Sequence, residues 1–316
     1  MPTTPAFHLL AYVFCFLLVW IGSGMVVTAV SSLSRSWHLP RFIISFFLLG
    51  ILTSFPEMTI GGLAVLNNTP AVFAGNLLGA TIVLFLGIIP LLGIVGNGVT
   101  LPSQLNHSQL MITLIVILAP AVLTVDREVT SPEAYIMIGL YLLLGVVFSF
   151  KQSWWEKAKT SLKRKTNGTK FIAKIVVGTI IVLGASHQIL NSTLFFAQMY
   201  HISPFFLSLL VVSLGTNLPE LSIVFRSIAK RKKDIAFADY LGSASANTLL
   251  FGALTLAHGS TFHLPNHFLQ RFTFILVGLV LFFFFARSKS SLSRKESLVL
   301  FGLYCGFLIF ELLLLQ

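Results

Sequence analysis

The sequence predicts an all-α polytopic membrane protein with ten transmembrane helices, arranged as two inverted five-helix repeats. Three observations carry that prediction. Of 316 residues, 56% are hydrophobic and only 10% charged, with a mean hydropathy of +0.91, too little charge to cover the surface of a soluble domain. The apolar residues fall into ten stretches of membrane-spanning length, and the second half of the chain repeats the first.

The stretches lie near 7–31, 40–65, 70–96, 108–125, 132–150, 171–198, 202–228, 234–258, 268–286 and 297–315. The leader before the first, Met1 to Pro5, lacks the basic region of a signal peptide, so that stretch is expected to be retained. The net charge of +11 is held in short runs between stretches and not on one face, which argues against a nucleic-acid partner. Arg35 and Arg41 follow the first stretch, a run from Lys151 to Lys174 follows the fifth, Arg226 to Lys233 follow the seventh, and Arg287 to Lys295 follow the ninth. Arg127 and Arg271 lie on the other side. The positive-inside bias places both termini outside the cytoplasm. The break at 151–170, with Trp154 and Trp155 suited to the headgroup level, reads as a basic cytoplasmic linker between halves 1–150 and 171–316. Cys15 and Cys305 sit inside apolar stretches and form neither a disulfide frame nor a CxxC metal site.

A shift of 163 positions lays Thr53 on Thr216, Pro56 on Pro219, Glu57 on Glu220, Ile60 on Ile223, Asn76 on Asp239, Leu78 on Leu241 and Gly79 on Gly242. Five spans per half is an odd number, so the second half must enter the membrane in the opposite sense. Many secondary transporters are built this way, with an ion site near the midplane where broken helices meet. Thr53-Ser54-Phe55-Pro56-Glu57 and Thr216-Asn217-Leu218-Pro219-Glu220 supply such breaks, because proline lacks an N–H and clashes with the preceding turn. Carbonyls freed there need a cavity to line. Together with hydroxyls and carboxylates they form the oxygen set that Ca2+ or Na+ takes, whereas no imidazole or thiolate cluster favours zinc or copper. Carboxylates inside the membrane cost at least ~3 kcal/mol each. Glu57 and Glu220 stand at equivalent places, and their combined charge matches a divalent ion. The bland alternative makes them packing struts bonded to polar neighbours.

At these residues the chain resembles the cation/calcium exchanger superfamily, whose two repeats carry G-T-S-x-P-E followed by G-N-x-x-G-S-N. The second half reads Gly215-Thr216-Asn217-Leu218-Pro219-Glu220 and Leu241-Gly242-Ser243. The first reads Leu52-Thr53-Ser54-Phe55-Pro56-Glu57 and Gly75-Asn76-Leu77-Leu78-Gly79. The motif regions are about 47–87 and 210–252. The absence of a large cytosolic loop resembles the prokaryotic branch, which implies an inner plasma membrane. The resemblance implies an antiporter exchanging a divalent cation, Ca2+ first, against Na+, with Glu57 and Glu220 as central ligands. Thr53 and Thr216 would add oxygens, and Ser54 and Asn217 would flank them at Na+ positions. The family's following serine and amide are kept as Ser243 and Asn247 but replaced by Ala80 and Leu84 in the first half. Asn76 and Asp239 complete the expected metal set, Asp239 being an acid where the family has an amide.

Cation/proton antiport on the same scaffold is the main alternative, since burial and like charge favour the protonated form of a carboxylate. Asp239 could carry that proton. It could equally lie solvated at the cytoplasmic end of its span, paired with Lys232 or Lys233. His187 could join a proton relay or be a satisfied polar residue near a helix end. A membrane-embedded enzyme is disfavoured: there is no HExxH or GxGD, and Gly242-Ser243-Ala244-Ser245 lacks a placed base. A passive channel would not need centrally buried acids in an inverted repeat. No cofactor is expected. The partners are inorganic cations and membrane lipid, and the chain is expected to act as a monomer. His8, His107, His258, His263, His267 and Glu311 are expected at the outer interface.

Overall fold

The computed structural model describes residues 4–34, 44–102, 105–149, 168–229, 233–265, 268–289 and 291–314. Arg35, His38, Arg41, the run 151–165 with Trp154 and Trp155, Lys230 to Lys232 and His267 lie outside the described residues. In chain order, α1 is Pro5–Ser34. Helix α2 is a π-helical Ile44–Leu49 continued by Gly50–Thr53, and α3 is Phe55–Leu66. Helix α4 is Pro70–Val95, β1 Val99–Thr100, α5 His107–Leu123, β2 Glu128–Val129 and α6 Ser131–Ser149. The second half runs α7 Gly168–Met199, α8 from Pro204–Leu207 through a π-helical Ser208–Val212 to Ser213–Thr216, and α9 Leu218–Ala229. It ends with α10 Lys233–His258, β3 Phe262–His263, α11 Phe268–Lys289, β4 Ser291–Leu292 and α12 Arg294–Leu313.

All ten expected stretches coincide with helices. Among the described residues seven helices are long and apolar enough to cross a membrane, and the bent pair α2/α3 makes an eighth. The other two are α5, with 17 residues, and α10, which carries Lys233, Asp234 and Asp239. The count of ten crossings therefore rests on membrane-length hydropathy for eight segments and on helix formation alone for two.

The 163-residue shift extends to features that the sequence hides. The π-helical stretches of α2 and α8 are equivalent, and β1 and β2 correspond to β3 and β4. Thr130 with Glu133 caps α6 as Ser293 with Glu296 caps α12: each acid accepts the backbone N–H three residues before it, at 2.7 Å in both halves. Strand β1 pairs with β4, and β2 with β3. Helix α5 runs from β1 to β2, so the two ribbons close opposite ends of the bundle. Equivalent strands thus lie on opposite faces, which is the geometry of an inverted repeat.

Helix α4 forms the centre, with 83% of its most apolar window buried. The two halves interlock there: α2 packs on α10 and α8 on α4. Glycine makes this approach possible. A Cβ on Gly242 would stand 1.8 Å from the Phe46 carbonyl oxygen, and one on the equivalent Gly79 would stand 2.2 Å from that of Leu209. Gly242→Ala is expected to destabilise the protein by ~1–3 kcal/mol or more, because backbone must move to admit the methyl. Gly302→Ala, with open space around it, should be harmless. Thermal unfolding in detergent checks the pair, and equal Tm values for both variants would refute the close-packing account.

The buried polar groups correct one expectation. Glu311 does not reach the outer interface. It is fully buried in α12, and its two oxygens accept from Arg271 Nε at 2.7 Å and Nη2 at 2.9 Å. A carboxylate this deep is held by its bidentate partner, and the guanidinium also lies 5.5 Å from the centre of the Phe205 ring.

Candidate functional site

The helix breaks fall at Ser54 and Asn217, whose backbone angles are φ −78°, ψ 10° and φ −87°, ψ 10°. Pro56 and Pro219 lie in the first turn of α3 and α9, where a missing N–H leaves no helical bond unmade. At each break the same carbonyl collects several donors. Gly50 O accepts from the Ser54 N–H at 3.2 Å, Thr53 Oγ1 at 3.2 Å and Ser54 Oγ at 3.0 Å. Ser213 O accepts from the Asn217 N–H at 3.3 Å, Thr216 Oγ1 at 3.3 Å and Asn217 Nδ2 at 2.7 Å. On each carbonyl the side chains add to a helical N–H that is still in place.

The acids cross over between the halves. Glu57 lies within hydrogen-bonding reach of Thr216, and Glu220 within reach of Thr53. Thr216 Oγ1 also donates to Asn76 Oδ1 at 3.3 Å. Ser243 Oγ donates to Glu220 Oε1 at 3.2 Å, and Ser54 Oγ is 3.0 Å from Ser243 Oγ. Glu57 and Glu220 are close enough to repel each other, as are Glu220 and Asp239. All ten sequence-derived candidates are buried: Thr53, Ser54, Glu57, Asn76, Thr216, Asn217, Glu220, Asp239, Ser243 and Asn247. Those contacts join eight of them, whereas the Asn217 amide bonds only to Ser213 O and the Asn247 amide has no hydrogen bond.

Several of these oxygens have no partner. Glu57 Oε2, Glu220 Oε2, Asn217 Oδ1, both oxygens of Asp239 and Asn247 Oδ1 are buried without a hydrogen bond. Acceptors stranded in low dielectric cost free energy unless a cation or a proton meets them, so this set fits a hard cation by its chemistry. Among the described residues no three His, Cys, Asp or Glu side chains converge as a metal site. The unpartnered oxygens here belong to the three carboxylates and to two amides.

Two of the weighed alternatives are corrected. Asp239 is 2% exposed, and the Lys233 ammonium donates to Gly96 O at 2.7 Å and Gly98 O at 2.5 Å, so Asp239 is neither solvated nor paired with Lys233. Lys232 lies outside the described residues. His187 is exposed on α7, while its neighbour Ser186 is buried. Gly242 to Ser245 lie within helix α10 and form no turn. The structure adds Tyr240, whose hydroxyl donates to Glu220 O at 3.1 Å, and Ser213, whose carbonyl anchors the second break. Tyr240 had no signal beyond its place beside Asp239. Ser213 could have been found by laying it on Gly50.

Inverted repeats whose broken helices cross at a buried polar centre define a secondary transporter. The sodium/calcium exchanger protein family matches residues 7–150 and 170–313, and the chain belongs to that family. It is a membrane transporter and not an enzyme. It is 24% identical over 289 residues to an uncharacterized membrane protein of Methanocaldococcus jannaschii, spanning 91% of this chain and 92% of that one. Its fold is similar to that of the sodium-calcium exchanger NCX_Mj, with a TM-score of 0.68 at 17% identity, covering 96% of this chain and 98% of the other. It is also similar to the H+/Ca2+ exchanger CAX, with a TM-score of 0.75 at 14% identity, covering 96% and 82%. At these identities the likeness is one of fold.

Proposed function

We propose that the chain is a secondary active antiporter that exchanges a divalent cation, Ca2+ first, against Na+ by alternating access. The observation that supports this best is the crossed pair Glu57 and Glu220, each buried with one carboxylate oxygen unpartnered and each within reach of a threonine from the opposite half. Two carboxylates match the charge of a divalent ion, and the hydroxyls and amides around them suit hard cations. Thr53, Thr216, Ser54, Asn217, Asn76, Asp239, Ser243 and Asn247 complete the proposed ligand set. The ions are cargo, and no resident cofactor is assigned. The halves 1–150 and 171–316 act as the two repeats, joined by the basic linker 151–170, and one copy of the chain makes a complete site. The positive loops support a cytoplasmic linker with both termini on the other side, and the resemblance to the prokaryotic branch supports an inner membrane.

A second reading, proton-coupled exchange, is favoured by one observation: Asp239 is buried beside Glu220 with neither oxygen bonded. The fold neighbours are named for each coupling, sodium-calcium exchange for NCX_Mj and H+/Ca2+ exchange for CAX. Uptake of radiolabelled Ca2+ into proteoliposomes, under an imposed Na+ gradient and then an H+ gradient, separates the two. Uptake with no counter-ion gradient would make the chain a channel, and no uptake under either would end the antiport reading.

The halves are unequal in a testable way. Ser243 and Asn247 stand where the first half has the buried Ala80 and Leu84. Ser243→Ala with Asn247→Leu is expected to slow transport about thirtyfold, as loss of two polar ligands worth ~1 kcal/mol each predicts. Substitutions at Ala80 and Leu84 should do less, and Ala80→Ser with Leu84→Asn should raise the dependence on Na+. Equal sensitivity of both halves in the same uptake assay contradicts this division.

A further inference from the structure

Helix α5 carries a proline in its interior, Pro120. Proline has no N–H, so Val116 O, the carbonyl one turn earlier, receives no helical bond from it. In a membrane interior such a carbonyl needs a donor from elsewhere. It finds one on another helix: Thr248 Oγ1 of α10 donates to Val116 O at 2.9 Å, and Thr248 is fully buried.

Thr248 adjoins Asn247. Asp239, Ser243 and Asn247 follow one another at four-residue intervals and so share one face of α10. That face meets the site, where Ser243 Oγ donates to Glu220 Oε1 at 3.2 Å. Thr248 stands about 100° round the helix from Asn247. On the side away from Ser243, a Cβ on Gly252 would stand 2.7 Å from Ala134 O of α6. Helix α10 thus turns its ligand face to the crossing while α5 and α6 hold it from beside and behind. The Gly252 contact sets how closely the helices approach, whereas the hydrogen bond of Thr248 is directional and sets rotation. The Asn247 amide has no hydrogen bond of its own, so its aim depends on the rotation of the helix that carries it.

The first half has no such tether. Under the 163-residue shift Thr248 falls on Phe85, Val116 on Leu279 and Pro120 on Phe283. Phe85 instead meets Phe282 of α11 ring to ring, with centroids 5.1 Å apart. The same half carries Ala80 and Leu84 in place of Ser243 and Asn247. The tether is present where the helix has oxygens to aim and absent where it has lost them. A bond that served packing alone would have no reason to follow the ligands.

We infer that Thr248 is a positioning residue for the ion site, its bond to the carbonyl freed by Pro120 holding α10 at the rotation that turns Asn247 towards the cation. The inference rests on the antiport reading above, in which Asn247 is a ligand.

The test titrates the full-length protein in detergent with Ca2+ alone and takes affinity from the rise of Tm with Ca2+ concentration. Thr248→Val removes the hydroxyl at nearly constant volume, Thr248→Ser keeps it, and Pro120→Ala gives Val116 O a helical N–H. Thr248→Val is expected to weaken Ca2+ affinity about fivefold, the loss of one hydrogen bond's worth of positioning. Thr248→Ser should stay near wild type. Adding Pro120→Ala to Thr248→Val should return the Ca2+-free Tm towards wild type and leave affinity low, because the carbonyl is then satisfied while α10 remains untethered. In an Asn247→Leu background, Thr248→Val should weaken affinity no further, since the residue it acts through is gone. Unchanged affinity in Thr248→Val would overturn the inference. So would affinity restored by Pro120→Ala, or a full further loss in the Asn247→Leu background. If Thr248→Val alone does not fold, the double variant with Pro120→Ala carries the comparison, and failure of both to fold would make the bond structural and the inference wrong. A wild-type protein whose Tm does not respond to Ca2+ would bring down the cation site itself, and the role given to Thr248 with it.

Discussion

Glu57→Gln and Glu220→Gln are each expected to abolish divalent-cation exchange while the protein still inserts and folds. Each change is isosteric and removes one of the two formal charges facing the ion. A unit charge about 4 Å from another is worth ~4 kcal/mol per charge at an effective dielectric of about 20. Losing it from a divalent ion therefore weakens binding by at least about a thousandfold. Folding should tolerate the change, since a neutral amide is less costly to bury than a carboxylate with an unpartnered oxygen. The hydroxyls of Thr216 and Thr53, within reach of the two acids, can still donate to the amide oxygen. Uptake of radiolabelled Ca2+ at matched expression, with size-exclusion profiles to check folding, gives the answer. Near wild-type rates in either variant would remove that glutamate from the ion site. Equal losses in both would show that the crossed pair acts as one unit, as the repeat leads one to expect.

The acids were legible because a charged residue inside an apolar span has few uses, and because Pro56-Glu57 and Pro219-Glu220 match across a constant shift. Membrane crossings were legible for the same reason: hydropathy is a property of the local segment. What escaped depends on contacts made far along the chain. Glu311 lies near the end of the last span, which suggests an interface, but Arg271, forty residues earlier, draws it into the bundle. Asp239 follows Lys233 by only six residues, which suggests a surface pair. Yet α10 begins at Lys233, and six helical residues carry Asp239 about 9 Å inward, while the Lys233 side chain turns instead to the end of α4. Sequence marked Pro as the cause of the breaks. In the structure the chain departs from helix at Ser54 and Asn217, and hydroxyl and amide donors gather on Gly50 O and Ser213 O beside the backbone N–H groups. The π-helical turns and the two-residue ribbons left no local signature in the sequence.

Asp239→Asn is expected to reduce H+-gradient-driven Ca2+ uptake about tenfold and to flatten the pH profile of transport. The reason lies in the difference between two equivalent positions. In the first half Asn76 is a neutral amide whose oxygen accepts from Thr216 at 3.3 Å. In the second half Asp239 is an acid, 2% exposed, with neither oxygen bonded and Glu220 close enough to repel it. A bare carboxylate there, unpaired and beside another, would cost several kcal/mol. Something positive must therefore accompany it through the transport cycle: the cation while the site is loaded, and a proton once the cation has left. Exchange of one for the other links the two fluxes, because an ion that binds one state of the carboxyl displaces the other. Asparagine fills the same volume, needs no proton when the cation leaves, and makes the second half like the first. Na+-gradient-driven uptake should survive the substitution at half the wild-type rate or better, since Glu57, Glu220 and the hydroxyls remain. The measurement is uptake against external pH under each gradient, for wild type and Asp239→Asn. An unchanged pH profile with full transport would take the proton away from Asp239 and leave Na+ as the coupling ion. Loss of uptake under both gradients alike would instead make Asp239 a ligand that every cycle needs.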